Sequence, residues 1–98
     1  MPNPVSIRLL SKPGCHLCDD ARAVVETVRS ETAERGIASE LEELDILQDP
    51  ELARRHSEDI PVVLVNGRRV AIWRVDPAKL TAAIERAANG PRLALFRR

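Results

Sequence analysis

The chain has 98 residues, of which 44% are hydrophobic, so it can form one small domain with its own core. Fifteen acidic residues balance fifteen basic residues, which excludes an overall electrostatic attraction to nucleic acids. No apolar run approaches the roughly 20 residues that a membrane span requires. The opening residues Met1-Pro2-Asn3-Pro4 lack the basic and apolar segments of a secretory signal. We therefore expect a cytoplasmic protein without nucleic-acid or membrane partners.

The first predicted elements are a strand and a helix. Apolar residues alternate over residues 5–10, which predicts a strand, and the interleaved Ser6 and Arg8 indicate that one side of its start is exposed. From Cys18 onward, apolar residues recur three and four positions apart, at Ala21, Val24, Val25 and Val28. This spacing predicts an amphipathic helix that ends near Gly36.

A second strand and a short helix are predicted next. Residues 41–46 combine leucine and isoleucine with acidic residues, which is typical of a strand at a sheet edge. Asp49-Pro50 then provides a helix N-cap followed by proline at the first helical position. We expect this helix to run to about His56.

The next segment predicts a hairpin. Residues 62–65 form a continuous run of valine and leucine, as in a strand covered on both faces. Asn66-Gly67 is a strong signal for a tight hairpin turn, so residues 68–73 should pair antiparallel with residues 62–65.

A last helix is predicted from Asp76-Pro77, which repeats the cap-and-proline pattern. Its apolar stripe is expected to stop at Gly90-Pro91, which leaves residues 91–98 as a short basic tail. The element order is then βαβα followed by a hairpin and a helix. This order predicts a single α/β domain over residues 1–98, with a four-stranded mixed sheet and helices on both faces.

The two cysteines of the chain, Cys15 and Cys18, are separated by two residues and lie at the predicted strand-to-helix turn. Thiol redox chemistry is commonly built at such a place, because free amide groups and the helix dipole stabilise a thiolate there. Lys12 and protonated His16 add positive charge. We expect Cys15 to attack a disulfide and Cys18, one turn further into the helix, to release the product.

A cysteine pair also occurs as a structural clip, in zinc sites and in iron–sulfur proteins. A structural clip is disfavoured because disulfides are rare in the cytoplasm. A zinc ion needs four ligands, and one C-x-x-C supplies only two, so we predict no metal site. An iron–sulfur cluster bridged between two subunits would use Cys15 and an external thiol.

The chain resembles the small bacterial glutaredoxin-like proteins of the thioredoxin superfamily over roughly residues 5–90. The resemblance rests on the element order, on Cys15-His16-Leu17-Cys18 after the first strand, and on a proline-led third strand. It implies a thioredoxin-like fold and a dithiol oxidoreductase that contributes to cell redox homeostasis. Such an enzyme would reduce protein or low-molecular-weight disulfides and be regenerated by a reductase or a small thiol.

The resemblance also assigns roles to single residues. It implies that Cys15 is the nucleophile, Cys18 the resolving cysteine and Pro61 a cis-proline. It further implies that the backbones of Ile60 and Val62 pair with substrate. Lys12 and Asp76 match residues that contact glutathione, although Asp76 is first of all the expected N-cap of the last helix.

Two departures from the family pattern are visible. His16 and Leu17 stand where glutaredoxins usually carry proline and tyrosine, and residues 71–75 hold no Gly-Gly pair before the last helix. Trp73 in that stretch is expected to be a packing residue or a wall of the substrate groove. No resident cofactor is implied, and glutathione or another small thiol is the candidate co-substrate. The alternative function is a non-catalytic thioredoxin-fold binding or adaptor module that holds a metal or an iron–sulfur cluster.

Overall fold

The computed structural model describes residues 4–96, with side chains through Asn89. Its elements are β1 (Val5–Ser11), α1 (His16–Glu34), β2 (Ser39–Asp45), a 3₁₀ turn (Ile46–Gln48), α2 (Pro50–His56), β3 (Val62–Val65), β4 (Arg68–Ile72) and α3 (Pro77–Phe96). The order of helices and strands agrees with the prediction from the sequence. Within the described part of the chain, no helix has both the length and the apolar character needed to cross a membrane.

The four strands form one mixed sheet in the order β2-β1-β3-β4. β1 pairs in parallel with β2, with Ser11 opposite Asp45, and antiparallel with β3, with Leu10 opposite Val62. β3 and β4 are antiparallel. Helices cover both faces of this sheet, which confirms the predicted α/β class and thioredoxin-like fold.

The two faces of the sheet carry separate hydrophobic clusters, because successive side chains of a strand point to opposite faces. The larger cluster packs α1 and α3 against one face and contains Val5, Ile7, Leu9, Val25, Val28, Val63, Leu80 and Ile84. The smaller cluster lies on the other face and contains Leu10, Cys18, Ile46, Ile60 and Val62, with Leu52 of α2 packed against it. Ser6 and Arg8 point to the same face of the sheet as Leu10 and are exposed. The expectation that one side of the start of β1 is exposed is therefore confirmed.

The β3–β4 turn has the backbone that the Asn-Gly pair predicts. Asn66 and Gly67 have φ values of 49° and 84°, the left-handed conformations that a two-residue hairpin turn requires. The pairing shifts register between Val63 and Leu64. β4 ends at Ile72, and the amide of Trp73 extends the pairing by donating to the carbonyl of Pro61 at 2.9 Å.

The predicted end of the last helix is wrong. The backbone of α3 continues through Gly90 and Pro91 to Phe96. The φ of proline is compatible with a helix. What proline costs a helix is the hydrogen bond that its missing N–H would donate to the carbonyl four residues earlier. The alanine-rich stretch before it favours continued helix, since Ala82, Ala83, Ala87 and Ala88 are all strong helix formers. The remainder of the expected tail, residues 97–98, lies outside the described residues, as do residues 1–3.

Candidate active site

The candidate site lies at one edge of the sheet, where four chain segments meet. The parallel strands β1 and β2 both end at this edge, β3 begins there, and β4 ends there. The segments that follow or precede these strand ends carry the cysteines, the 3₁₀ turn, Pro61 and Trp73. We call this side of the molecule the dithiol edge.

Cys15 is the N-cap of α1. Its backbone is extended, with φ −98° and ψ 113°, and its Sγ accepts a hydrogen bond from the amide of Cys18 at 3.1 Å. The turn that leads into it passes through Gly14 at φ 77°, a conformation that favours glycine. Cys15 is partly exposed. Its sulfur therefore lies at the positive end of a 19-residue helix while remaining within reach of solvent.

Cys18 is completely buried in the smaller hydrophobic cluster. Burial, and then its interaction with Cys15, raises the pKa of the Cys18 thiol from 9.0 to about 11. A backbone hydrogen bond from Lys12 and the charge of Arg22 act in the opposite direction. Cys18 is thus a protonated thiol at neutral pH, placed one helical turn behind the accessible sulfur.

Pro61 follows a cis peptide bond with Ile60, as the resemblance implied. Ile60, Pro61 and Val62 are all buried. Cys15 packs against the cluster to which Ile60 and Val62 belong. The structure therefore brings together the two cysteines and the residues on either side of Pro61.

Lys12 and His16 flank Cys15 and are both exposed. His16 is the first residue of α1, and the backbone of Lys12 forms a hydrogen bond with the thiol of Cys18. The structure therefore places both residues, exposed, in or beside the turn that carries Cys15.

Asp76 has the capping role expected from its position. Its Oδ1 accepts hydrogen bonds from the amides of Ala78 at 2.9 Å and Lys79 at 3.3 Å. It also lines a shallow cleft of about 210 Å³ between β4 and the start of α3, together with Arg74 and Lys79. The cysteines do not line this cleft, so the cleft does not join Asp76 to the dithiol.

An ion-pair network beside Cys18 was not predicted. Arg22, one turn after Cys18 on α1, donates from Nε to Glu43 Oε1 of β2 at 2.7 Å and from Nη1 to Asp19 Oδ1 at 2.9 Å. The hydroxyl of Ser11 donates to Glu43 Oε2 at 2.7 Å. Hydrogen bonding by Arg22 lowers the pKa of Glu43 despite partial burial, and the same contact raises the pKa of Arg22.

The sequence indicates only one contact of this network, because Asp19 and Arg22 are three residues apart on a predicted helix and such residues are neighbours on its surface. Glu43 is 21 residues from Arg22 in the chain, so no sequence window could have joined them. Among the described residues, no group of three or more His, Cys, Asp and Glu side chains is arranged to hold a metal ion.

The sheet order, the cysteine pair at the N-terminus of α1 and the cis-proline before β3 define a thioredoxin-fold protein. The family model of the glutaredoxin-like domain (DUF836) matches residues 6–85. The chain belongs to this glutaredoxin-like domain family.

Individual relatives agree with this assignment. The chain is 30% identical over 87 residues to the uncharacterized protein Rv0508 of Mycobacterium tuberculosis, which covers 86% of this chain and 87% of that protein. A structural genomics target protein from X. campestris has a TM-score of 0.65 at 25% identity and covers 81% of this chain and 95% of its own. Chloroplastic thioredoxin z, at 14% identity and a TM-score of 0.65 over 86% of this chain and 78% of its own, shares the fold.

Proposed function

We propose that the protein is a thiol–disulfide oxidoreductase that reduces protein or low-molecular-weight disulfides through Cys15 and Cys18. The observation that carries this proposal is the unequal placement of the two thiols. Cys15 is accessible and caps the helix, whereas Cys18 is buried one turn behind it and its amide points at the Cys15 sulfur. The dithiol mechanism of exchange uses this division between an attacking and a resolving thiol.

In the first step, the Cys15 thiolate attacks one sulfur of the substrate disulfide. A mixed disulfide forms, and the other substrate sulfur leaves as a thiolate that takes a proton from solvent. The Cys18 amide and the positive end of α1 stabilise the attacking thiolate, an effect of about 0.3–1 kcal/mol at exposed helix ends and up to about 2 kcal/mol when partly buried. The exposed positive side chain of Lys12 favours the same charge.

In the second step, Cys18 loses its proton and attacks the Cys15 sulfur of the mixed disulfide. The second substrate thiol is released, and the enzyme is left with a disulfide between positions 15 and 18. The substrate has gained two electrons and two protons, and a dithiol, a reductase or a small thiol must return them to the enzyme. Because burial raises the pKa of the Cys18 thiol, the removal of its proton is the demanding part of this step.

We propose the cytoplasm as the place of action, because reducing conditions there keep a cysteine pair in the dithiol state. Glutathione remains a candidate co-substrate. Lys12 and Asp76, the residues that the resemblance assigns to it, are both exposed.

Trapping of the mixed disulfide tests the proposal. Reduced Cys18→Ser protein is mixed with hydroxyethyl disulfide and analysed by intact mass. We expect a stable adduct on Cys15, while Cys15→Ser forms none and the wild-type protein converts to its internal disulfide with release of mercaptoethanol. If the Cys18→Ser protein carries no adduct with this or any peptide disulfide, the exchange function is wrong and the non-catalytic binding module becomes the better explanation.

A further inference from the structure

Three large apolar side chains are conspicuously exposed in the described part of the chain. They are Leu17, Leu47 and Trp73, with exposed fractions of 36%, 62% and 53%. All three lie at the dithiol edge: Leu47 is in the 3₁₀ turn directly after β2, Leu17 lies between the two cysteines after β1, and Trp73 directly follows β4. Exposed apolar groups gathered at one place indicate a binding surface more strongly than scattered ones do.

Trp73 is held in a conformation that a bulky residue rarely adopts. Its φ is 66°, a left-handed value that costs free energy for any residue with a side chain. Its backbone amide donates to Pro61 O at 2.9 Å, and its indole Nε1 donates to Glu58 O at 3.0 Å. Both bonds end in the segment that leads through the cis-proline, so the indole is fixed beside that segment while about half of it remains in water.

The spacing of the three side chains indicates the size of the occupant. The chain segments that carry them follow strands β2, β1 and β4, which are the first, second and fourth strands of the sheet. Strands lie about 4.8 Å apart, so the edge from β2 to β4 measures roughly 14 Å. An extended chain covers that distance with about four residues, whereas a small disulfide is too short to contact all three side chains.

The charges around this surface favour no strongly charged ligand. Lys12 and His16 are followed closely by Asp19 and Asp20, all of them exposed. The Oδ1 atom of Asp76 is engaged in capping α3. Apolar contact is therefore the main means of recognition that the edge offers.

We propose that Trp73, together with Leu17 and Leu47, binds an extended polypeptide segment that has apolar residues beside its disulfide cysteine. This inference rests on the proposed exchange function and gives its substrate class as protein disulfides in apolar surroundings. The fixed indole face packs against an apolar side chain of the substrate and places the neighbouring disulfide at the Cys15 sulfur. Trp73 is thus a determinant of specificity, and the sulfur exchange itself remains with the cysteines.

The test compares two disulfide-linked peptides that differ at one position next to the cysteine, where one carries leucine and the other glycine. Fully reduced protein is mixed with each peptide in single turnover, and the second-order rate constant is measured from released peptide thiol. We expect the wild-type protein to prefer the leucine peptide roughly tenfold, and Trp73→Gly to abolish most of that preference. Glycine tolerates φ 66°, so this variant also removes the backbone cost and should fold.

Three further variants separate the explanations. Asn66→Gly replaces the other non-glycine residue with positive φ among the described residues, at the opposite end of β3 and β4, and should keep the full preference. Trp73→Phe keeps an apolar ring without the indole N–H and should keep most of it. Leu47→Ser should slow the reduction of both peptides and leave the preference unchanged, because the occupant spans the whole edge and the varied position contacts Trp73.

Each contrary result has a definite meaning. If the wild-type protein reduces both peptides equally fast, or if Trp73→Gly retains the preference, the inference is wrong although the exchange function stands. If Trp73→Phe loses the preference as Trp73→Gly does, the indole acts only by holding the Pro61 segment, and direct contact is wrong. If Leu47→Ser reduces both peptides at the wild-type rates, the occupant does not extend along the edge. If neither peptide is reduced at all, the exchange function itself has failed.

Discussion

The two thiols of this protein differ in environment more than in position. Cys15 caps a helix with its sulfur near solvent, whereas Cys18 is enclosed by aliphatic side chains that solvate an anion poorly. Cys18 is protonated and buried beside an accessible Cys15, and this fixes the order of the two exchange steps. The buried thiol can act only after the Cys15 sulfur has formed the mixed disulfide. Alkylating reagents should accordingly modify Cys15 before Cys18.

The buried thiol should affect how the stability of the reduced protein depends on pH. The pKa of Cys18 rises from 9.0 to about 11 on folding, so the folded state holds this proton more tightly than the unfolded state does. The resulting stabilisation is complete below pH 9 and is lost as the pH rises through 11. Cys18→Ala removes it, and the free energy of unfolding should then fall less steeply between pH 9 and 11. Urea titrations of both reduced proteins measure this, and parallel declines would contradict it.

The capping residue of α3 offers a second prediction. Asp76→Ala removes the acceptor for two amides at the start of α3 and should lower the free energy of unfolding by about 1 kcal/mol. Asp76→Asn keeps an acceptor and is the matched control, so it should cost only a few tenths. Urea denaturation at pH 7 distinguishes the two, and an equal loss for both variants would show that the charge, rather than the cap, is what matters.

At the scale of elements, one network ties α1 to β2 next to the reactive turn. The bidentate contact of Arg22 with Glu43 is supported by Ser11 from β1, so it joins three elements within one turn of Cys18. Arg8 and Glu42 form an ion pair between β1 and β2, at 3.2 Å, but both side chains are more than half exposed. Exposed pairs contribute little because water screens them and ordering their side chains costs entropy.

These two ion pairs should respond differently when the glutamate of each is replaced by uncharged glutamine. Glu43→Gln should lower the free energy of unfolding at pH 7 by about 1–2 kcal/mol, while Glu42→Gln should change it by less than about 0.5 kcal/mol. The pKa of Glu43 is lowered below its usual 4.5 in the folded protein. The benefit of Glu43 is therefore present above pH 4.5 and disappears as the pH falls through the folded value. The difference between wild type and Glu43→Gln should shrink in acid, and a constant difference would refute this origin.

At the scale of the whole molecule, local patterns predicted the fold well and distant contacts poorly. Some signals lie within short stretches of sequence: the alternation of apolar residues in β1, the apolar stripe of α1 and the Asn66-Gly67 turn. Each specifies its element without help from the rest of the chain. The cysteine pair could be placed for the same reason, because a strand-to-helix turn has a known geometry. The bond from Trp73 to Glu58 and the bond from Arg22 to Glu43 join segments 15 and 21 residues apart, and they depend on packing that no window contains.

The prediction for the end of α3 failed although its signal was local. Gly90-Pro91 is a valid local stop signal, but such signals express a preference of a few kcal/mol at most. A long helix with alanine-rich flanks can continue through them.

The acidic character of β2 has a consequence for solubility. β2 is an edge strand of seven residues, four of which are acidic: Glu40, Glu42, Glu43 and Asp45. An uncovered strand edge is a template on which a second copy could add its own strand, and charge repulsion is a common protection against this. Carboxylates that lose their charge in acid would withdraw that protection.

Replacing Glu40 and Glu42 by threonine should therefore promote self-association at pH 7, since threonine keeps the strand propensity but carries no charge. The same double change at Glu31 and Glu34, both exposed on α1, alters net charge equally and should leave self-association as it is in the wild type. Light scattering during concentration compares the two, and equal behaviour would assign the effect to net charge alone. If only the double change in β2 promotes association, a strand that contributes little to the core sets the concentration at which this protein remains in solution.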